Sequence, residues 1–200
     1  MSRIIAGSAR GLTLASPRGD RTRPTTDRAK EAVFSTLVSW AGSGDASSSD
    51  QLAGLSFLDL FAGSGSVGLE AASRGADRVV LVENHAATAQ LIRRNADAVR
   101  RAVPGCTIEV VTAAAQAFVG RSAQAAERFD VIWADPPYGL GNADIEALLA
   151  QVLVNGWLVD DGLVVVERSA RGEPFVWPDA LGVQWDKDYG ETRIRYARAA

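Results

Sequence analysis

The sequence contains very little sulfur, histidine or lysine. Its 200 residues include one cysteine, one methionine and one histidine, and only two of its 21 basic residues are lysine. The single cysteine, Cys106, cannot form an internal disulfide, which is typical of proteins from a reducing compartment. No stretch approaches the roughly 20 consecutive apolar residues that a membrane-spanning helix requires, and the first residues lack the apolar run of a signal peptide. We therefore expect a cytoplasmic protein without a membrane segment.

Charge is distributed unevenly along the chain. The formal net charge is −3, yet residues 1–40 carry +4 and the remainder carries −7. The planar guanidinium of arginine can bind two oxygens of one phosphate at once. A basic N-terminal arm on an acidic body therefore indicates contact with a polyanion. An arginine-rich, solvated surface would give the same composition, so charge alone leaves both interpretations open.

The order of predicted elements indicates an α/β fold. A short hairpin over residues 3–5 and 11–15 precedes a helix that begins near Thr26, and residues 42–50 have the composition of a linker. Apolar strands then alternate with helices, which predicts a mostly parallel sheet covered on both faces. The predicted strands are 56–61, 78–83, 107–111, 129–135 and 163–167, and the predicted helices lie near 66–74, 86–103, 116–126 and 143–154.

Two more strands, 182–187 and 192–198, are predicted to form an antiparallel C-terminal hairpin, which makes seven strands in the sheet. We predict an N-terminal unit of basic arm, hairpin and helix over residues 1–50, and a ligand-binding unit over residues 51–200. In open α/β sheets the ligand binds beyond the carboxyl ends of the strands. Three motifs occupy such positions.

The first motif is the glycine-rich segment 59–68, DLFAGSGSVG, which follows a strand and begins a helix. Glycines at 63, 65 and 68 permit a tight turn and close approach of a ligand to the backbone. A plain turn would also explain them, but their position after a strand favours a nucleotide-like ligand. Asp59 can accept hydrogen bonds from a cationic amino acid and would repel a pyrophosphate. The motif therefore favours S-adenosylmethionine over a dinucleotide.

The second motif is Glu83, which ends the next strand 24 residues after Asp59. A carboxylate in this position can accept hydrogen bonds from both hydroxyls of an adenosine ribose. The alternative is an acid that caps the following helix, and the nearby glycine loop favours the ribose. We interpret His85, the single histidine, as a residue at the start of that helix and not as a catalyst.

The third motif is Asp135-Pro136-Pro137-Tyr138, which follows the apolar strand segment 131–134. An exocyclic amine of a nucleic-acid base is a poor nucleophile because its lone pair is delocalised into the ring. The Asp135 carboxylate and the Pro136 carbonyl can each accept one amine hydrogen and so direct that lone pair. The Tyr138 ring offers a face for stacking on an unpaired base. A simple proline-rich loop does not explain an acid and an aromatic residue around two prolines.

The glycine loop and the Asp-Pro-Pro-Tyr motif together resemble the class I amino-methyltransferases, which have a Rossmann-like fold, use S-adenosylmethionine and need no metal. More narrowly, the whole chain resembles the bacterial 16S rRNA (guanine(966)-N2)-methyltransferase family known as RsmD. The matching stretches are RIIAG at 3–7, TRPTTDR at 22–28, EAVFSTL at 31–37, LDLFAGSG at 58–65, GLEA at 68–71, SRGA at 73–76 and YGET at 189–192.

The resemblance implies methylation of N2 of guanine 966 in 16S rRNA, within an assembling 30S subunit, by a monomeric enzyme. It also implies three groups of site residues. Asp59, Phe61, Gly63, Gly65, Glu83, Asn84 and Ala114 would bind the cofactor, Asp135, Pro136 and Tyr138 would hold the target guanine, and Arg21, Arg23, Thr25 and Arg28 would contact RNA.

One segment departs from the pattern of these methyltransferases. They often carry an acid after the third strand of the sheet, where it accepts a hydrogen bond from the adenine amine. The corresponding residues 112–118, TAAAQAF, contain no acid. We therefore expect backbone groups and packing to hold the adenine, with Gln116 nearby.

Three other functions share part of this pattern. Methylation of adenine N6 in DNA also suits Asp-Pro-Pro-Tyr, but such enzymes usually add a target-recognition region for which 200 residues leave little room. A nicotinamide-dependent oxidoreductase could share the glycine loop and Glu83, but it would need a substrate domain. A non-catalytic RNA-binding module would explain the basic arm and would leave residues 135–138 without a role.

Overall fold

A computed structural model describes residues 2–17, 27–137, 139–172 and 174–199. No helix within these ranges is long and apolar enough to cross a membrane. The strands are β1 (Ser2–Arg3), β2 (Thr13–Leu14), β3 (Ser56–Asp59), β4 (Arg78–Glu83), β5 (Thr107–Thr112), β6 (Phe129–Ala134), β7 (Leu158–Ser169), β8 (Leu181–Tyr189) and β9 (Thr192–Ala199). The helices are α1 (Asp27–Ala41), α2 (Ser66–Ser73), α3 (Ala86–Arg100), α4 (Ala115–Val119) and α5 (Asn142–Val154).

Seven of the strands form one sheet in the order β5-β4-β3-β6-β7-β9-β8, and β1 and β2 form a separate hairpin. Strands β5, β4, β3, β6 and β7 are parallel, whereas β9 runs antiparallel to both β7 and β8. The predicted mostly parallel seven-stranded sheet with an antiparallel C-terminal hairpin is thus confirmed. The strand order reverses between β3 and β6, so the expected ligand position is the edge where these two strands end.

The continuously apolar strands explain how the sheet is covered on both faces. Along β4, Val79 and Leu81 belong to one buried cluster, while Val80 and Val82 belong to a second cluster on the opposite face. Side chains alternate between the faces of a strand, so a strand buried on both faces needs an unbroken apolar run. Helices α1, α2 and α3 contribute to the first cluster, and α4 and α5 contribute to the second.

The N-terminal extension shares the first of these clusters with the sheet. Ile4, Leu14 and Phe34 are buried in the same cluster as Phe57 of β3, and the Phe34 and Phe57 rings stack with centroids 6.4 Å apart. The division of the chain into two units at residue 50 stays a prediction.

Three element boundaries differ from the prediction, and the others agree within two residues. The segment 160–162, Asp-Asp-Gly, is typical of a turn, but it lies inside β7, where Asp161 adopts a positive φ of 62° and the register with β6 shifts. Helix α3 ends at Arg100 and not at 103, because a proline at 104 disfavours helical backbone in the preceding residue. The helix predicted over 116–126 is divided, since α4 ends before Gly120 and a single 3₁₀ turn follows at Ala125–Glu127.

One buried carboxylate fastens the N-terminal extension to α2. Glu70 is fully buried and accepts hydrogen bonds from the backbone N–H groups of Ile5 at 2.8 Å and Ala6 at 2.9 Å. It also accepts one from Arg74 Nε at 3.0 Å, and Lys30 Nζ of α1 lies 3.6 Å away. Burial lowers the pKa of Lys30, and the charge of Glu70 opposes that shift. Glu70 therefore neutralises two buried cations and accepts hydrogen bonds from two half-buried backbone amides.

Glu70→Ala should lower the free energy of unfolding by about 3–5 kcal/mol, because it leaves Lys30 and Arg74 buried without their shared counter-charge. Urea unfolding followed by circular dichroism measures this difference. Asp188→Ala is the matched control, because it removes an ion pair with Arg193 in which the Asp188 side chain is 52% exposed. That change should leave the free energy of unfolding almost unchanged, because water and salt screen an exposed ion pair. Equal losses in the two variants would contradict the role given to Glu70.

Candidate functional site

A cavity of about 1170 Å³ opens at the carboxyl ends of the parallel strands. Ligand pockets commonly measure about 300–1,000 Å³, so this cavity can hold a cofactor and part of a second molecule. Its lining comes from the loops after β3, β4, β5 and β6, from the end of β7 and from the β8–β9 turn. The polar side chains and glycines among the lining residues are Gly63, Glu83, Asn84, His85, Thr88, Gln116, Asp135, Glu167, Arg168, Ser169, Tyr189, Gly190, Glu191 and Thr192.

Four carboxylates stand at the ends of four adjacent strands. In sheet order they are Glu83 on β4, Asp59 on β3, Asp135 directly after β6 and Glu167 on β7. Asp59 is in register with Leu81 of β4 and Trp133 of β6, so Glu83 and Asp135 lie two residues further along their strands. Burial and the charges of neighbouring acids raise the pKa values of Asp59 and Asp135 and disfavour their ionisation. This edge of the sheet therefore favours a ligand that carries positive charge.

The glycine loop and Glu83 are joined directly. Glu83 Oε2 accepts a hydrogen bond from the Gly63 N–H at 3.1 Å, and Glu83 Oε1 accepts one from the His85 N–H at 2.8 Å. Gly63 has a φ of +55°, and a Cβ there would meet no atom closer than the Phe61 carbonyl oxygen at 4.0 Å. The backbone of Gly63 thus faces open space. Glu83, Gly63 and Phe61 line the cavity together, as predicted, and their contacts with a cofactor stay predictions.

Asp59 and Gly65 lie behind the glycine loop and do not line the cavity. The Asp59 side chain is 1% exposed and accepts a hydrogen bond from the Phe61 N–H at 3.3 Å. Burial raises the pKa of Asp59 to about 7, and backbone N–H groups of the loop oppose that shift. Gly65 has a φ of +79° and faces Ile92 and Leu69, whose side chains a Cβ would approach to 3.1 and 3.2 Å. Both residues support the loop from its inner side, and their predicted cofactor contacts stay predictions.

The loop after β5 forms an apolar wall of the cavity. Ala113, Ala114 and Ala115 line it together with Gln116, and Asn84 lies on the β4 side. None of these side chains is an acid, and backbone groups and packing as the means of holding an adenine ring stay a prediction. His85 is the N-cap of α3, so its interpretation as a helix-start residue is confirmed.

Asp135 and Pro136 lie at the opposite end of the cavity. The Asp135 carboxylate is half-buried. Burial raises its pKa well above the ordinary value, the charges of Glu167 and Asp59 raise it further, and the charge of Arg168 opposes the shift. Tyr138 lies outside the described residues, so its stacking role stays a prediction.

Arg168, which the sequence analysis did not single out, holds the loop that follows Asp135. Its Nη2 donates to the carbonyl oxygen of Leu140 at 2.9 Å, and its Nε donates to Asn142 Oδ1 at 3.0 Å. The loop is thereby tied to β7, the strand beside the one that carries Asp135. A sequence signal was present, because Glu167 and Arg168 follow the apolar run 163–166 in the same way that Asp135 follows its own strand.

The basic arm is described only at its two ends. Arg21, Arg23 and Thr25 lie outside the described residues, and Arg28 is exposed on the first turn of α1 and does not line the cavity. Pro17 and Ala29, which flank the arm in sequence, both line the cavity. The YGET motif at 189–192 also lines it, although the sequence analysis used that motif only for family resemblance.

Comparison with known proteins gives consistent matches along the whole chain. Residues 2–198 match the model of a family described as Conserved hypothetical protein 95. The chain is 32% identical over 200 residues to ribosomal RNA small subunit methyltransferase D of Escherichia coli K12, covering 99% of this chain and 90% of that protein. The protein of the same name from Haemophilus influenzae is 31% identical over 193 residues, 96% of this chain and 91% of that one. A solved structure, the putative methyltransferase yhhF from E. coli, has a TM-score of 0.79 at 27% identity and covers 99% of this chain and 97% of its own.

Glu83→Ala should weaken binding of S-adenosylmethionine by about tenfold or more, because it removes a charged acceptor and releases two loop amides from it. Isothermal titration calorimetry measures the change in Kd. Glu109→Ala is the matched control, since Glu109 is an exposed acid on the neighbouring β5 and does not line the cavity. An unchanged Kd in Glu83→Ala, with an unchanged melting temperature, would remove Glu83 from the cofactor site.

Proposed function

We propose that this chain, which belongs to the family described as Conserved hypothetical protein 95, is an S-adenosylmethionine-dependent methyltransferase that acts on guanine N2 in 16S rRNA, at guanine 966. The observation that carries the proposal is the position of Asp135. Its carboxylate lies in the same cavity as the glycine loop and Glu83 and is followed by two prolines. A methyl donor and an acceptor amine can therefore share one space.

The residues that line the cavity are complementary to S-adenosylmethionine in charge and in shape. The sulfonium and ammonium groups of this cofactor are cationic, and the cavity that would receive them is lined by the acids Glu83, Asp135 and Glu167. We assign the ribose to Glu83 and Asn84, the backbone contacts to Phe61 and Gly63, and the adenine to the alanine wall that includes Ala114. Asp59 and Gly65 act on the cofactor by shaping the loop from behind.

Bound S-adenosylmethionine supplies the methyl group, and its sulfur keeps the electron pair of the broken bond. The protein's part is to prepare the amine. Asp135 and the carbonyl of Pro136 each accept one hydrogen of the guanine N2 amine, which holds the nitrogen and directs its lone pair. When the new N–C bond forms, the nitrogen must release a proton. A carboxylate with a raised pKa is a suitable acceptor for that proton.

Two features support RNA as the substrate. The E. coli and H. influenzae relatives are named as methyltransferases of small-subunit ribosomal RNA. The basic arm, with Arg21, Arg23, Thr25 and Arg28, is flanked by two residues that line the cavity. An arm in this position can hold the RNA backbone while a single base enters the cavity. We further propose that the enzyme is a cytoplasmic monomer that acts on the assembling 30S subunit.

The first test is transfer of labelled methyl from S-adenosylmethionine to undermethylated small subunits, naked 16S rRNA and duplex DNA. We expect label on guanine N2 of ribosomal RNA. Asp135→Ala should reduce the rate by at least about 100-fold while binding the cofactor normally, because the lost acceptor acts mainly in the transition state. Mass spectrometry of digested RNA identifies the modified base.

Each alternative has its own result in this test. Label on DNA adenine would support the DNA methyltransferase and overturn the ribosomal assignment. Cofactor binding without methyl transfer to any of the three substrates would overturn the proposed activity. A wild-type rate in Asp135→Ala would remove Asp135 from the acceptor site.

Activity should depend on pH through Asp135. Only the ionised carboxylate accepts both a hydrogen bond and a proton, so kcat/KM should fall as the pH falls through the raised pKa of this residue. Arg168→Gln removes the positive charge that opposes the shift and should move this acidic limb to higher pH. Arg128→Gln is the matched control, because Arg128 donates to the Leu158 carbonyl oxygen at the opposite end of β7. Coincident pH profiles for wild type and Arg168→Gln would contradict the electrostatic role of Arg168.

A further inference from the structure

We propose that Glu167 is a specificity-determining residue that accepts a hydrogen bond from N1–H of the target guanine and so selects guanine over adenine. The inference rests on the proposed function, in which Asp135 holds the exocyclic amine. It extends that function, because it assigns the selection of guanine to Glu167, a second carboxylate beside Asp135.

The positions of the two carboxylates follow from the register of β6 and β7. These strands are parallel, and Ala134 of β6 pairs with Val166 of β7. The next residues, Asp135 directly after β6 and Glu167 within β7, therefore lie side by side, about one strand spacing of 4.8 Å apart. Both line the cavity. After burial, the charge of Glu167 is the largest of the influences that raise the pKa of Asp135, as expected for close neighbours.

A pair of adjacent acceptors matches one edge of guanine. On the Watson–Crick edge of this base, the N2 amine and the neighbouring N1–H are both donors. An amine held by Asp135 therefore brings N1–H toward a group in the position of Glu167. In adenine the ring nitrogen beside the N6 amine has a lone pair and no hydrogen, so a carboxylate would repel it. A site built to accept a hydrogen bond rejects an analogue that lacks the donor.

One positive charge lies next to this pair. Arg168 follows Glu167 on β7, and its charge opposes the rise in the pKa of Asp135, whereas the charge of Asp59 adds to that rise. Two donors of a guanine edge would form charge-assisted hydrogen bonds with these carboxylates inside a half-buried cavity, where such bonds are strong.

The test uses 16S rRNA in which the target guanine is replaced by 2-aminopurine through splinted ligation. This base keeps an amine at C2 and carries no hydrogen at N1. We expect wild type to prefer guanine to 2-aminopurine in kcat/KM, and Glu167→Gln to reduce that preference by about tenfold or more. A glutamine amide can donate to the unprotonated N1, so activity on 2-aminopurine should rise. 2-Aminopurine also lacks the O6 of guanine. This second difference affects wild type and variant alike, so it cancels when their preferences are compared.

Two further variants make the result decisive. Glu167→Ala removes the side chain that would contact N1. It should lower kcat/KM for guanine toward the value for 2-aminopurine. Glu109→Gln, the exposed acid on β5, should leave the preference unchanged. Melting temperature and cofactor Kd are measured for every variant.

The outcomes separate this inference from the proposed function. If Glu167→Gln and Glu167→Ala leave the preference unchanged, or lower activity on both bases equally, Glu167 does not read N1–H, although methylation of guanine N2 stands. If wild type binds the cofactor and methylates no guanine N2, the proposed function fails, and the role of Glu167 fails with it.

Discussion

Four carboxylates lie at one edge of the sheet, and groups from the surrounding loops partly compensate them. Parallel strands must end at the same edge, so acids at the ends of β4, β3, β6 and β7 are brought together by topology alone. Three of the four are offset by different groups: Glu83 by two backbone amides, Asp59 by the amide of Phe61, and Asp135 by the charge of Arg168. A cationic ligand at this edge would favour the ionised form of the acids whose pKa values are raised.

The loops that offset these charges are held in turn by contacts on their outer sides. Asn95 of α3 donates to the carbonyl oxygens of Ser64 in the glycine loop and of Ala15, each at 2.9 Å, and its Oδ1 accepts from the Ala15 N–H at 3.0 Å. Glu70 binds the first residues of the chain to α2, the helix that begins at the end of the same loop. The N-terminal extension thus helps to support the glycine loop, and Pro17, which follows this extension in sequence, lines the cavity.

Sequence patterns that span a few residues predicted the sheet. The features that were not predicted depend on contacts between residues far apart in the sequence. The apolar run of β4 and the polar residues after each strand are signals within a few residues of sequence, so the strands and most lining residues follow from them. Asp59 also ends a strand, yet its side chain is buried behind the glycine loop, where it accepts a hydrogen bond from the Phe61 N–H. The hydrogen bond from Arg168 to Asn142 joins residues 26 positions apart, and no periodic pattern encodes such a pair. At Asp161 the local sequence, Asp-Asp-Gly, is typical of a turn, yet the segment lies within β7, where the register with β6 shifts.

The charge of the cavity also dictates how a nucleic acid can reach it. Among its described residues, the cavity lining holds several carboxyl groups and one arginine, Arg168, so it offers few partners for the phosphates of an RNA strand. A base is uncharged and can enter if it leaves its stack, while the phosphates stay outside. The phosphates then have to be bound outside the cavity. Residues 1–40 carry a net charge of +4, against −7 for the rest of the chain, and are the basic part of the sequence. An acidic body with a basic arm is therefore the charge distribution that the proposed function requires, with phosphates bound outside the cavity and an uncharged base within it.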